Sequence, residues 1–205
     1  VRAEPDEHVL IGVTGNIACG KSLVTSELER LGATVIDADT VYHELIEPGE
    51  PLWSRLLQHF GKGIATPGGR IDRKALGAIV FSDPARLREL ESMTHPVIRA
   101  EVLQRVHDAP AKVVAVSAVK LIEGGWDEIC DSIWIVTCPE DEQRRRLMEK
   151  RGMSAADVEA RLAAQPPVEP KLAIADVVID NSGTVEATRA AVENALNELL
   201  ARNPR

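Results

Sequence analysis

Gly15-Asn-Ile-Ala-Cys-Gly-Lys-Ser22 follows the apolar run Val9-Leu-Ile-Gly-Val13 and opens a stretch in which Val24, Leu28 and Leu31 recur at helical spacing before Gly32. The octet matches the pattern G-x-x-x-x-G-K-[ST] in full, in the strand–loop–helix setting that the pattern requires. Its chemistry follows from its residue types. Glycines let successive backbone N–H groups turn toward phosphate oxygens, a helix N-terminus adds its dipole, a lysine reaches the β- and γ-phosphates, and a final hydroxyl binds Mg2+. The spacing therefore predicts a nucleotide phosphate site at Gly15, Asn16, Ile17, Ala18, Cys19, Gly20, Lys21, Ser22 and Leu23, with Ser22 also the metal ligand. A glycine-rich turn that contains Lys-Ser by coincidence is the competing reading, and the strand before and the helix after it weigh against it.

Composition sets the outer limits. The 205 residues, 44% of them hydrophobic, suffice for one core plus inserted segments. A formal net charge of -8 disfavours sequence-independent binding to nucleic acid, which a basic face usually meets. A phosphorylated substrate then needs a local cluster of cations, and one runs from Arg144 to Lys171. Cys19, Cys130 and Cys138 are odd in number and form no C-x-x-C pair, so neither a disulfide framework nor a zinc site is expected. No apolar run reaches about 18 residues, and the acidic start Val1 to His8 lacks the order of a signal peptide. A cytoplasmic protein without membrane contact is the expectation, with the start at Val1 rather than Met read as processing or a cut boundary.

Short β-branched runs alternate with longer helical patterns, the signature of strand–helix–strand units in a parallel sheet. Five strands are expected, at Val9 to Val13, Thr34 to Asp37, Val113 to Val116, Ser132 to Thr137 and Val177 to Ile179, with ligands at their carboxyl ends. From Pro48 to Pro110 the pattern is helical pieces between turns, so a helical insertion interrupts the sheet. Within it Ser82-Asp83-Pro84 starts a helix, His95-Pro96 starts or kinks another, and Trp53, Phe60 and Phe81 form a core. After the fourth strand, acids then bases from Glu140 to Arg151 suit a helix that Gly152 ends. Ser154 and Asp157 make a capping box for a helix over Asp157 to Gln165. These two basic helices read as a lid, with Arg144 and Arg145 solvated and Arg146 and Lys150 sharing a face.

Four readings of single residues or pairs stay open from the residues alone. Asp37 and Asp39 end the second strand, where a carboxylate orients a substrate hydroxyl and accepts its proton, or caps the next helix. Lys120 stands at the same sheet edge, facing a substrate anion or solvent. His95 reads more naturally as a structural hydrogen-bond donor than as a base. Cys19 lies beside a helix N-terminus and Lys21, both of which favour a thiolate, against the plainer reading of a small buried residue standing for serine.

Taken in order, Thr14 to Ser22, Val35-Ile-Asp-Ala-Asp39 with His43-Glu-Leu45 and Glu47-Pro-Gly49, Val80-Phe-Ser-Asp83, His95-Pro96, Gln143 with Arg146-Leu147, Gln165 with Lys171-Leu172, and Ala175-Asp176 through Asn181-Ser-Gly183 resemble the dephospho-CoA kinase family. The resemblance covers nearly the whole chain, from Ile11 to about Leu196. It implies an α/β P-loop kinase fold: three α/β/α layers with a five-stranded parallel sheet, a helical acceptor-domain insertion and a helical lid. The nucleotide-binding core is then 8–44, 112–138 and 172–205, the dephospho-CoA-binding insertion 45–111 and the lid 139–171. The implied reaction takes ATP, with Mg2+, and dephospho-CoA to ADP and coenzyme A by phosphorylating the ribose 3′-hydroxyl. Lys21, Asp39 and Arg146 are the implied catalytic residues, Asn181, Ser182 and Gly183 lie by the adenine, and Asp39, His43, His95 and Lys120 are candidate acceptor contacts. No nucleic acid or membrane partner is implied, and a monomer or weak oligomer is expected.

The chain departs from the family pattern in places. Leu23 replaces a usual threonine, Lys150 stands where a second lid arginine is common, and Ser117 replaces an acidic residue at the third-strand exit. Pro166, Pro167 and Pro170 stiffen the lid exit. The competing functions are a related small-molecule or nucleoside kinase, and a degenerate P-loop regulator for which Leu23 and Ser117 are the motive. Intact Lys21, Ser22 and Asp39 argue against the latter.

Overall fold

Short, β-branched apolar runs become strands, and in the computed structural model, which describes residues 8–203, five of them form one sheet whose three central strands are buried on both faces. They are β1 (Val9–Gly15), β2 (Thr34–Asp37), β3 (Val113–Ser117), β4 (Ser132–Thr137) and β5 (Val177–Asp180), in the spatial order β2-β3-β1-β4-β5. The sheet is parallel, with Val13 opposite Ser117 and Trp134, and Gly15 opposite Val136. All seven residues of β1 are buried. The helices are α1 (Lys21–Arg30), α2 (Ala38–Leu45), α3 (Pro51–Phe60), α4 (Arg73–Phe81), α5 (Pro84–His107), α6 (Glu140–Arg151), α7 (Ala155–Ala163), α8 (Glu169–Leu172) and α9 (Val185–Arg202). The expected strands are all present, each extended by two residues or fewer. The acidic start at residues 1–7, and residues 204–205 of the expected core, lie outside the described residues.

The chain divides into two compact units, one of Val1–Ile36 with Asp108–Arg205 and the other Asp37–His107. In the first, strand order reverses about β1, whose neighbours β3 and β4 come from later in the chain. Such a reversal opens a crevice at the strand's carboxyl end, and the phosphate-loop sequence begins there. Val24 and Leu28 of α1 pack with Val192, Leu196 and Leu199 of α9 against Ile11, Val13, Trp134 and Val136 of the sheet. Glu27, buried in α1, is paired by Arg30 within the helix (2.6 Å) and by Arg189 of α9 (3.4 Å). A buried carboxylate without such partners would be strongly destabilising.

Ser154 caps α7, its hydroxyl accepting from Asp157 N (3.2 Å) and donating to Asp157 Oδ2 (2.6 Å), so this helix starts at Ala155, two residues before the expected start. Arg144 and Arg145 are not free in solvent. Arg144 bridges Glu140 and Asp141 of α6 to Glu159 of α7, and Arg145 pairs with Glu142 and Glu149, because acids one helical turn away meet each arginine. The short α8 was not expected; Pro170, in its first turn, pre-sets the backbone for it.

The second unit is helical, as expected, with a single isolated bridge between Ala65 and Ile71 and no strand among its described residues. Its core gathers Ile46, Leu52, Leu56, Ile64, Ile71, Leu76 and Val80, with Trp53 and Phe60 packed at its margin. Phe81, in contrast, is 78% exposed: it is the last residue of α4 and lies off the Leu76–Val80 stripe. His95-Pro96 starts no helix of its own, since α5 runs unbroken from Pro84 to His107. A single proline costs one ladder bond, and the buried face of this helix on either side, with Thr94, Val102 and Val106, outweighs it.

Candidate nucleotide site

The phosphate loop is built by two close approaches that admit only glycine. A Cβ at Gly15 would stand 2.4 Å from Val136 O, and one at Gly20 would stand 1.9 Å from Asn181 Nδ2. Gly20 also has a φ of 101°, a left-handed conformation that caps α1 without any side-chain bond. Ala18 is the single described non-glycine residue with positive φ, at 57°, and such a conformation persists only where surroundings impose it.

Those surroundings come from three later segments. Arg146 of α6, only 14% exposed, donates from Nη1 to Ala18 O (3.2 Å) and Cys19 O (3.1 Å) and from Nη2 to Asn181 O (2.7 Å), while Glu142 pairs its Nε (3.3 Å). Asn181, just past β5 and 5% exposed, donates from Nδ2 to Cys19 O (2.8 Å) and accepts at Oδ1 from the Thr188 hydroxyl (2.9 Å). Gln165 accepts at Oε1 from Ile17 N (2.6 Å). The loop's own Cys19 N donates to Asn16 O (3.3 Å). Among the described residues, the N–H groups of Ala18, Gly20 and Ser22 have no protein acceptor, that of Lys21 turns to the Cys19 sulfur, and the first turn of α1 carries no acid. Open amides at a helix N-terminus form an anion site.

Cys19 departs from the thiolate expectation. It is 1% exposed, and burial pushes its thiol up from 9.0 to about 11, the neighbouring Cys138 adding to the rise and Lys21 only partly opposing it. Desolvation of a thiolate outweighs one nearby cation. The loop cysteine is a core side chain, packed with Val136 and Ile179 in the cluster beneath the sheet edge.

The remaining candidates fall in several places. Lys21 and Ser22 open α1, Leu23 is half-buried one residue on, and Ser182 and Gly183 are exposed in the turn after Asn181, where Asp180 holds the Ser182 N–H and hydroxyl. Lys120 is exposed in the turn beyond β3, which Thr14 ties to β1 by donating to Val119 O (3.2 Å). Ser117 is buried at the end of β3. In the second unit, Asp37 caps α2, its Oδ1 accepting from Thr40 N (2.8 Å), and Asp39 lies exposed in that helix's first turn. His43 Nε2 lies 2.6 Å from Arg73 Nη1, and His95 is half-buried in α5. Sequence reasoning gave no role to Gln165 and Gln143, and it set Asn181 by the adenine, whereas the Asn181 side chain is spent beneath the loop. Lys171 of α8 is 6% exposed, and no hydrogen bond or ion pair reaches its ammonium group among the described residues.

A parallel sheet with a phosphate loop at its switch point, closed by an arginine-bearing helix, defines a P-loop kinase. Comparison with known proteins narrows the class. The dephospho-CoA kinase family model matches residues 9–187. The dephospho-CoA kinase of Symbiobacterium thermophilum is 44% identical over 191 residues, covering 91% of this chain and 79% of that protein. That of Geobacter sulfurreducens is 45% identical over 187 residues, covering 90% and 95%. A Thermus thermophilus protein of solved structure superposes with a TM-score of 0.80 at 36% identity, covering 95% of this chain and 99% of that one. The chain belongs to the dephospho-CoA kinase family.

Proposed function

We propose that this chain transfers the γ-phosphoryl group of ATP to the ribose 3′-hydroxyl of dephospho-CoA, releasing ADP and coenzyme A. The observation that carries the reading is the family match, which runs through both the phosphate loop and the helical insertion. The loop fits a nucleotide by its own geometry, with three open amides and two positions where a Cβ would collide. Lys21 neutralises charge on the transferring phosphoryl group, and the open amides orient the phosphates, which is where most of the catalysis of phosphoryl transfer lies. Ser22 is the proposed ligand of Mg2+, which, shared with the nucleotide, supplies charge neutralisation between the phosphates.

Asp37 is committed to its helix cap, so Asp39 is the carboxylate we assign to orienting the acceptor hydroxyl and taking its proton. Arg146 is proposed to serve the nucleotide through the loop it holds, with Ser182 and Gly183 beside the base. His43, His95 and Lys120 remain the proposed acceptor contacts, within a division into core (8–44, 112–138, 172–205), acceptor insertion (45–111) and lid (139–171). A cytoplasmic monomer or weak oligomer completes the proposal; among the described residues no helix is long and apolar enough to cross a membrane.

The test is ADP release with MgATP and dephospho-CoA beside AMP, shikimate and pantothenate, the product weighed by mass spectrometry. Turnover with dephospho-CoA alone, lost in Lys21→Ala and cut at least a hundredfold in kcat by Asp39→Asn with MgATP affinity unchanged, is expected. Turnover with another acceptor instead, or wild-type kcat in Asp39→Asn, overturns the acceptor or the base assignment respectively.

A further inference from the structure

We propose that Gln165, oriented by Gln143, is a positioning residue that presets the phosphate loop for nucleotide, an inference that rests on reading that loop as the ATP site. Between Ile17 and Ser22 the loop has six backbone N–H groups. Three are open, Cys19 N and Lys21 N are used within the loop, and Ile17 N is taken from outside by the Gln165 side chain. Gln165 therefore decides which amides a phosphate meets.

The hydrogen-bond polarity is determined end to end. Ile17 N–H can only donate, so the atom it meets is the Gln165 carbonyl oxygen, which leaves Gln165 Nε2 to donate to Gln143 Oε1 (3.3 Å). Gln143, buried in α6, then donates from Nε2 to Cys138 O (3.3 Å), a carbonyl that can only accept. Neither amide can flip without setting oxygen against oxygen or N–H against N–H. The relay joins the end of β4, the α6 helix and the segment after α7 to the first half of the loop. Its second half is held separately by Arg146 and Asn181.

A residue that merely fills space would act on stability alone. A residue that presets the amides lowers the ordering cost of binding and acts on nucleotide affinity. The experiment is titration calorimetry of MgATP and MgADP against wild type, Gln165→Leu, Gln143→Leu and the double variant, with thermal midpoints and the KM for dephospho-CoA measured in parallel. Gln165→Leu is expected to weaken nucleotide binding about 5- to 10-fold, the scale of one lost hydrogen bond, with KM for dephospho-CoA within twofold of wild type. Gln143→Leu should give a smaller loss, and the double variant should match Gln165→Leu, since both act along one path. The isosteric Gln165→Glu should fail to restore wild-type affinity, because its second oxygen cannot donate to Gln143. Wild-type nucleotide affinity in Gln165→Leu, additive losses in the double variant, or equal losses for both substrates overturn the proposal. Because calorimetry needs no acceptor, a wild-type protein that binds MgATP without using dephospho-CoA would overturn the proposed reaction and leave this test intact.

Discussion

Gly20→Ala is the sharpest perturbation of the loop. The substitution puts a Cβ 1.9 Å from Asn181 Nδ2, and ordinary contact begins near 3.4 Å, so the Asn181 amide must retreat by 1.5 Å. That retreat breaks the bonds to Cys19 O at 2.8 Å and from Thr188 at 2.9 Å, in a side chain that is almost wholly buried. Alanine at φ 101° adds roughly 1–2 kcal/mol of backbone strain. Two buried amide groups left without partners cost about 1–3 kcal/mol each, for a total near 3–8 kcal/mol. Asn181→Ala alone is milder, about 1–2 kcal/mol, because Cys19 O keeps Arg146 and the Thr188 hydroxyl keeps Thr184 O. In the double variant the collision is gone, so Asn181→Ala should cost nothing, or restore stability, in the Gly20→Ala background. Urea denaturation of the four proteins gives the cycle, and MgATP calorimetry reports the displaced amides. A Gly20→Ala protein within about 0.5 kcal/mol of wild type, or a double variant at the sum of the singles, would refute the reasoning.

Other perturbations separate the groups around the loop. Arg146→Ala removes three bonds to carbonyls and should weaken MgATP binding on the order of 10- to 100-fold, with Arg146→Lys close to alanine because an ammonium cannot fork across Ala18, Cys19 and Asn181; calorimetry decides, and full rescue by lysine would contradict the forked role. Cys19 should resist maleimide at pH 8 with or without MgATP, and mass spectrometry showing ready labelling would contradict its burial. Its thiol is raised from 9.0 to about 11, so the protonated form stabilises the fold fully below pH 9 and that contribution is lost as pH rises toward 11. Wild type should therefore lose about 2–3 kcal/mol relative to Cys19→Ala across that window in urea titrations. Lys171→Met should weaken MgATP binding, since it removes a cation whose stem is buried and whose ammonium no protein anion pairs among the described residues; unchanged affinity with a lowered thermal midpoint would make Lys171 structural.

The fold was legible because its signals are local. β-Branched runs mark strands whichever neighbours they find, and Gly32 and Gly152 end helices through their own backbone freedom, at φ 92° and 61°. The octet from Gly15 to Ser22 announces phosphate chemistry for the same reason. What escaped the sequence depends on partners remote in the chain. Nothing near Cys19 tells of the β4 and β5 residues that bury it, so the residues alone left the thiolate open beside the plainer reading of a small buried side chain, which the structure bears out. Gln165 stood out in a family pattern, yet the Ile17 N–H that donates to it is 148 residues away. Phe81 looked like core by its side chain alone, and only the phase of α4 turns it outward.

That remoteness bears on how the site works. The loop, with its unfavourable backbone at Ala18, is held by hydrogen bonds spanning 128, 148 and 162 residues, all from segments that follow β4. An isolated strand–loop–helix peptide has none of these contacts and would relax the strain by closing the loop on itself. Arg146 and Gln165 belong to the same α6–α7 segment, and the Arg144 bridge to Glu159 makes those two helices one body. Any movement of that segment must release the Ala18 and Cys19 carbonyls together with the Ile17 amide. Ordering of the phosphate loop and docking of the basic helices are therefore one equilibrium, and a nucleotide that favours the ordered loop draws the helices in without touching them.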